Sequence, residues 1–370
     1  MLKSPLKRRI SEKLKTLVLE GAGSGFQLVL GFKNESLGCF TAGVADFKNR
    51  RVVRRSTRFD LASLTKILVV IDLLIKAHQE NKISDLNSPL KTWFPFFSSD
   101  LKNRTILDVL NHRSGLPPIF EYTNEIGEEL PSRDDRIRFF LRKIDETYLP
   151  HPSDGAKIIY SDVGFMLLGL LLEQAYGRRL QHLYENRGEL SYGPISFHAE
   201  WLSWLTGSGT VAAIQSLDAK PKWLKGVVQD PRAQWLGGDA GHAGLFGTAD
   251  GVENWGRELF MAYHGKSLHQ SDRIVRKFID FDLPLNGSYL NGFDTPSREG
   301  ISQSGSQFSN TTIGHLGYSG CSFWMDIEKG IRVTLLSHRF QPGIEPDKLK
   351  KLRPAFHDWL HAEVFSKLRV

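Results

Sequence analysis

The chain has 370 residues, of which 41% are hydrophobic and 24% charged. That balance excludes a largely disordered or fibrous protein and points to a globular one, with one large core or two intimate domains. The formal charge of +7 comes from 48 basic and 41 acidic residues, and the excess crowds the two ends, with Lys3, Lys7, Arg8 and Arg9 at one and Lys348, Lys350, Lys351 and Arg353 at the other. No nucleic-acid-binding motif accompanies it, so these ends read as solvated helix faces and no nucleic-acid partner is expected.

After the basic start, Glu12, Lys13 and Lys15 interrupt any apolar core of a secretory signal. No run of about 18 apolar residues exists, so no membrane span is expected. A cytoplasmic location follows as the expectation. Cys39 and Cys321 are the two cysteines. They form no disulfide framework and read as buried reduced thiols, with a bridge between them left open. No Cys/His cluster has zinc spacing, and no metal or other cofactor is expected.

In chain order, Leu6, Ile10, Leu14, Leu17 and Val18 mark an amphipathic helix over residues 6–20. Strand-like runs follow at Phe26–Phe32, Gly38–Val44 and Arg51–Arg55, with turn residues between them. Residues 63–79 are apolar on most faces and predict a buried helix. Short helices are expected at Leu86–Leu90 and Ile106–Asn111, and longer ones over 133–144 and 161–176. Residues 190–235 read as irregular. Gly237–Gly247 is Gly-rich, and a helix follows over 251–263. Strands return at Gly314–Ser319, Cys321–Asp326 and Ile331–Ser337, before a last helix over about 346–367. The simplest packing joins both ends of the chain in one sheet. Residues 1–60 and 250–370 then form a discontinuous α/β sheet domain, and 61–249 an inserted, mostly helical one. The cleft between them is the expected site.

Three segments carry chemistry. In Ser63-Leu64-Thr65-Lys66, a helix starting near Ser63 puts Ser and Lys on one face. The hydroxyl then sits at the positive end of the helix dipole, and the amine can relay its proton. Alone this spacing recurs by chance, and an N-cap serine beside a surface lysine satisfies it equally. In Tyr160-Ser161-Asp162, a tyrosine beside a lysine can act as phenolate base or shuttle, while Ser161 or Asp162 can equally cap the following helix. In Gly314-His315-Leu316-Gly317-Tyr318-Ser319-Gly320, small residues let a substrate backbone lie against the strand. The N–H of Tyr318, with that of Ser63, can supply an oxyanion hole. His315 can steer or protonate a substrate group, although a lone strand histidine is often structural.

Taken together, S-x-x-K, a Tyr-x-Asp about a hundred residues later and this late small-residue strand form a specific order. The chain resembles the serine β-lactamase-like and penicillin-binding-protein-like superfamily, in its class C β-lactamase, esterase and D-aminopeptidase branch. The carriers are Phe59 to Lys66, Leu110-Asn111-His112-Arg113-Ser114-Gly115-Leu116-Pro117 (similar to LLTHTSGLP) and Tyr160 to Phe165. Gly241 to Ala249 and Gly314 to Gly320 (similar to GHTGFTG) complete the set. The resemblance implies a β-lactamase/transpeptidase-like fold, an antiparallel sheet flanked by helices with the helical insertion. It implies that Ser63 forms an acyl-enzyme, that Lys66 and Tyr160 manage its proton, and that the Ser63 and Tyr318 amides hold the oxyanion. Asp162, Gly317 and Ser319 would meet substrate, His315 would stand where a lysine is usual, and His242 would be structural or stand behind the residues that touch substrate.

Two positions depart from that pattern. Asp162 replaces the usual Asn, which should favour a protonated Lys66 and make Tyr160 the base. His315 replaces the usual Lys and should hold a carboxylate less strongly. Both count against β-lactamase activity. The expectation is an esterase, peptidase or amidase acting on a small molecule or short peptide, a D-amino-acid-containing or cell-wall-derived peptide being one such substrate. The alternative is an inactive ligand-binding protein on the same fold. The sequence carries no signal for oligomeric state.

Overall fold

The computed structural model describes residues 2–121, 130, 132–149, 158–187, 192–193, 195–198, 211–217, 220–280 and 288–368. Helix α1 (Ser4–Leu19) starts at a proline-marked first turn and buries Ile10, Leu14 and Leu17. The chain then forms β1 (Gly25–Phe32), β2 (Glu35–Asp46), β3 (Arg51–Val52) and β4 (Phe59–Asp60). A π-helical stretch, Lys66–Ile71, runs into α2 (Asp72–Gln79). Next come α3 (Ile106–Leu110), α4 (Arg133–Glu146), α5 (Asp162–Tyr176) and α6 (Leu180–Glu185). Short elements follow: β5 (Ile195–Ser196), β6 (Ala213–Gln215), β7 (Trp223–Lys225), α7 (Pro231–Trp235) and β8 (Phe246–Gly247). The last third holds α8 (Ala249–Tyr263), α9 (Asp272–Ile279), β9 (Tyr289–Leu290), β10 (Phe293–Asp294), β11 (Thr312–Leu316), β12 (Ser322–Asp326), β13 (Ile331–Ser337) and α10 (Lys348–Glu363).

One eight-stranded antiparallel sheet runs β3-β2-β1-β13-β12-β11-β10-β9. The two ends of the chain meet in it, with Phe26 opposite Ser337 and Phe32 opposite Ile331. Alternation sets the faces of β1. Phe26, Leu28 and Leu30 pack in one core with Ile10, Leu14 and Leu17 of α1 and Phe356 and Leu360 of α10. Val29 faces the other core, with Val252 and Trp255 of α8 and the apolar helix that follows Ser63. That is the antiparallel sheet with flanking helices that the sequence implied.

The structure departs from the expected elements in several places. The helix expected from residue 63 is π-helical over Lys66–Ile71, a geometry periodicity does not encode. The expected strand Gly314–Ser319 ends at Leu316. Strands β9 and β10 and helix α9 were not anticipated, because two-residue strands carry no readable period. Within 190–235, the described residues contain β5, β6, β7 and α7, and the remainder of that segment lies outside the described residues. Both cysteines are free, and burial, above all other causes, pushes Cys39 up to about 12 and Cys321 to about 11. No helix among the described residues is long and apolar enough to cross a membrane.

A buried ion pair ties α8 to the sheet. Arg332 of β13 meets Glu253 through Nη2 at 2.8 Å, with side-chain exposures of 0% and 1%, and Arg332 Nη1 also donates to the Lys33 carbonyl at 2.6 Å. Removing one member strands the other charge in a dry interior. Glu253→Ala should therefore cost about 3–5 kcal/mol, read as a lowered urea midpoint. The paired Glu253→Met, Arg332→Met variant should recover much of it; equal loss in both variants would show that packing, not charge, dominates.

Candidate active site

Strand β4 pairs with β8, placing Phe59 opposite Gly247 and Asp60 opposite Phe246. This sets the chain entering Ser63 against the Gly-rich segment. Asp60 then holds the turn with both carboxylate oxygens, accepting from Ala62 N at 2.8 Å and from Gln229 N at 2.7 Å. Ala62 takes a left-handed φ of 46°. Such strain in a residue with a Cβ persists only where the surroundings over-determine it.

Beyond that turn, Lys66 is fully buried and its ammonium has three partners. Nζ lies 2.8 Å from Ser63 Oγ, 2.7 Å from Asp162 Oδ1 and 3.4 Å from the His242 carbonyl. The rings of Tyr160 and Phe165 stand 5.0 Å and 5.5 Å from it. Asp162 arrives on the first turn of α5, which Ser161 caps by accepting from Gly164 N at 3.0 Å. Of the two capping options left open by the sequence, the serine is the one used. Ser161 N in turn donates to His112 Nδ1 at 3.0 Å, and the His112 ring lies 4.6 Å from that of Tyr160. The Gly-rich segment reaches Lys66 because Gly241 lies directly against α5, where a Cβ would meet the Phe165 carbonyl.

From the other side comes β11. Gly317 packs on the turn before Ser63, so that a Cβ there would lie 2.7 Å from the Leu61 carbonyl. Together these elements line a cleft of about 550 Å³ that contains Ser63, Tyr160, Asp162, His315, Gly317 and Tyr318. Neither Ser63 N nor Tyr318 N donates a hydrogen bond among the described residues. The Tyr318 side chain is 54% exposed and stacks on Phe340 at 4.9 Å, with Arg339 over it.

Ser319 is not part of this lining, contrary to the sequence expectation. It is fully buried, and its hydroxyl donates to the Asp60 carbonyl at 2.8 Å. The residue lies in the turn after β11 and fastens that turn to the segment leading into Ser63.

The electrostatics revise two further expectations. Burial draws Lys66 below the ordinary lysine value, outweighing the opposing pull of Asp162. Burial, then Asp162, pushes Tyr160 well above the usual phenol value, partly offset by its contact with the Ser63 hydroxyl. An anion favours the protonated form of both groups, so Asp162 does not select the phenolate. Tyr160 is a neutral hydroxyl here, and Lys66 is the more accessible base. Burial, then Lys66, brings His315 down to about 3. Neutral His315 donates Nδ1–H to the Leu316 carbonyl at 2.8 Å, which leaves Nε2 as a bare acceptor without a partner among the described residues. It is no proton donor at neutral pH, contrary to one of the roles the sequence suggested.

Sequence reasoning missed Asp60, Asp230 and Asp294, all of which line the cleft. Burial raises Asp60 to about 6 and Asp294 to about 7. For Asp230 burial also acts upward, but His242 and backbone donors overcome it and hold the carboxyl below the usual range. Isolated aspartates in loops and two-residue strands give no spacing signal.

The chain is similar to several known proteins. N-acetylmuramyl-L-alanine amidase of Bacillus subtilis (strain 168) is 26% identical over 327 residues, spanning 81% of this chain and 72% of the relative. A putative D-alanyl-D-alanine carboxypeptidase of Escherichia coli (strain K12) is 27% identical over 354 residues, spanning 85% of this chain and 78% of the relative. The solved structure of EstCE1, a hydrolase with promiscuous acyltransferase activity, shares the fold with a TM-score of 0.71 at 18% identity, over 95% of this chain and 98% of that one. The β-lactamase family model matches residues 16–354, and the chain belongs to that family, whose members are serine hydrolases.

Proposed function

We propose that this protein is a serine hydrolase that cleaves an ester or amide through an acyl-enzyme on Ser63. The observation that carries this is the buried Lys66 amine 2.8 Å from Ser63 Oγ. In its neutral form, which burial favours, Lys66 takes the hydroxyl proton as Ser63 Oγ attacks the carbonyl carbon. The Tyr160 hydroxyl passes that proton from Lys66 to the leaving group as the scissile bond breaks. The free amides of Ser63 and Tyr318 stabilise the oxyanion. Water then hydrolyses the ester and returns Ser63.

The substrate is one without a carboxylate at the positions of Asp162 and His315. There the cleft presents an anion and a neutral acceptor, and both disfavour a penicillin-like carboxylate. We therefore expect weak or no β-lactamase activity. Two of the similar proteins are named as an N-acetylmuramyl-L-alanine amidase and a putative D-alanyl-D-alanine carboxypeptidase, and a D-amino-acid-containing or cell-wall-derived peptide fits this reading. One observation favours a second reading, in which the protein binds ligand without turnover. Asp162 lies 2.7 Å from Lys66 and opposes the neutral amine.

Intact-protein mass after fluorophosphonate treatment decides between them. Wild type should gain one adduct, whereas Ser63→Ala should gain none and lose at least about 10³-fold in ester hydrolysis. Folded wild type without an adduct would establish the binding reading.

Asp162 raises the affinity of both Lys66 and Tyr160 for protons. Asp162→Asn should therefore move the acid limb of the acylation pH profile to lower pH. It should also increase acylation by penicillin relative to a neutral ester. A limb that stays in place, or moves upward, would remove Asp162 from this role.

Gly317→Ala should push β11 off the turn before Ser63, since the Leu61 carbonyl is backbone and cannot swing aside. We expect a loss of about 10²-fold in kcat/KM, with a denaturation midpoint close to wild type. Unchanged kinetics would mean that the strand is free to shift.

A further inference from the structure

Among the cleft groups that the first half-reaction leaves unused are His242 and Asp230. His242 is 1% exposed and lines the same cleft as Ser63. Its carbonyl accepts from Lys66 Nζ at 3.4 Å, so the residue sits directly beside the serine–lysine pair. Its Nε2 lies 2.9 Å from Asp230 Oδ1. Asp230 is itself fixed, because the same oxygen caps α7 by accepting from Arg232 N at 2.9 Å and Ala233 N at 2.8 Å.

This geometry settles which nitrogen is basic. An ionised carboxylate only accepts, so Nε2 carries the proton and the lone pair of the neutral ring is on Nδ1. Nδ1 is buried and has no hydrogen-bond partner among the described residues. A buried acceptor without a protein partner is ordinarily met by a water molecule. A carboxylate that fixes tautomer and ring orientation is also the arrangement that general-base histidines use.

Lys66, Tyr160, His112 and His315 are poor bases for a second proton transfer. Lys66 recaptures a proton readily after acylation, with Asp162 at 2.7 Å. Tyr160 is a neutral phenol, held so by burial and Asp162. Burial takes His112 and His315 down to about 3, which leaves them almost without basicity.

We propose that His242, oriented by Asp230, is the general base of deacylation and takes a proton from the water that hydrolyses the Ser63 ester. This rests on the acyl-enzyme reading above. The water proton goes to His242 Nδ1 as the water oxygen bonds to the acyl carbon. The bond from that carbon to Ser63 Oγ then breaks, and Oγ takes a proton from the Lys66 ammonium. The proton on His242 is then lost to solvent, matching the one Lys66 took up after acylation, so the products are the free acid and the enzyme with neutral Lys66. One residue thus serves both half-reactions, positioning Lys66 through its carbonyl and activating water through its ring.

The test uses p-nitrophenyl acetate with the full-length protein in stopped flow, together with intact mass. His242→Gln should release about one equivalent of p-nitrophenol in a burst and then turn over at least about 10²-fold more slowly than wild type. Its mass should show an acetyl group on Ser63 that wild type does not accumulate. His242→Ala should regain turnover when imidazole is added, a rescue that a purely structural residue would not show. Asp230→Asn should slow deacylation in the same sense by a smaller factor, and it decides the matter should the His242 variants fail to fold. A fall in acylation and turnover together, with no burst and no imidazole rescue, would overturn the proposal. Wild type that takes up no fluorophosphonate at Ser63 would instead defeat the acyl-enzyme reading, and this proposal with it.

Discussion

A single lysine amine, removed from water and held between a hydroxyl and a carboxylate, is the constraint around which this structure is arranged. A buried ammonium is costly unless it is paired, and a paired one is a weak base. Lys66 sits between these limits. Burial lowers its proton affinity while Asp162 raises it, and burial prevails. Every neighbouring element keeps that balance in place. Asp60 holds the strained turn into Ser63, the Ser161 cap delivers Asp162, and Gly241 lets a backbone carbonyl come close enough to accept from the amine.

The cleft also runs against the charge of the whole molecule. The chain carries a formal +7, yet Asp60, Asp162, Asp230 and Asp294 all line the space around Ser63. Two of the cations that also line it are engaged with neighbouring groups. Arg339 donates to the Tyr318 carbonyl at 2.6 Å, and Arg353 donates to Gln303 and to the Gly320 carbonyl, both at 2.9 Å. Net charge therefore says little about the substrate. The local field is set by which carboxylates are desolvated and which are matched by donors.

Much of this was legible from residue order alone. The apolar positions of α1, the alternation of β1 and β13, and the buried α5 follow from their periods. The segments around Ser63, Tyr160 and His315 stood out because three weak patterns occurred in a specific order. What stayed hidden depends on contacts between distant residues. Ser319 looks like a cleft residue until the pairing of β11 shows its hydroxyl on Asp60. The contact between the His242 ring and Asp230, twelve residues earlier, leaves no mark in the spacing. The basicity of Tyr160 could not be judged without knowing that it is desolvated beside an anion. Burial and tautomer are properties of the folded neighbourhood, and spacing does not encode them.

The two departures from the family pattern read as one change once their geometry is known. The usual asparagine and lysine present donors to the cleft, and a lysine adds positive charge. Here Asp162 presents an anion, and His315 presents a bare Nε2 because its proton is engaged by the Leu316 carbonyl. Both substitutions turn donors into acceptors in the same cleft. Losing one donor would weaken carboxylate binding, whereas reversing both makes a carboxylate unfavourable and a donor favourable. Burial reinforces this, since the lower the local polarity, the more an unmatched substrate oxygen costs facing Asp162. The serine–lysine–tyrosine chemistry can thus be retained while the class of molecule admitted to it is inverted.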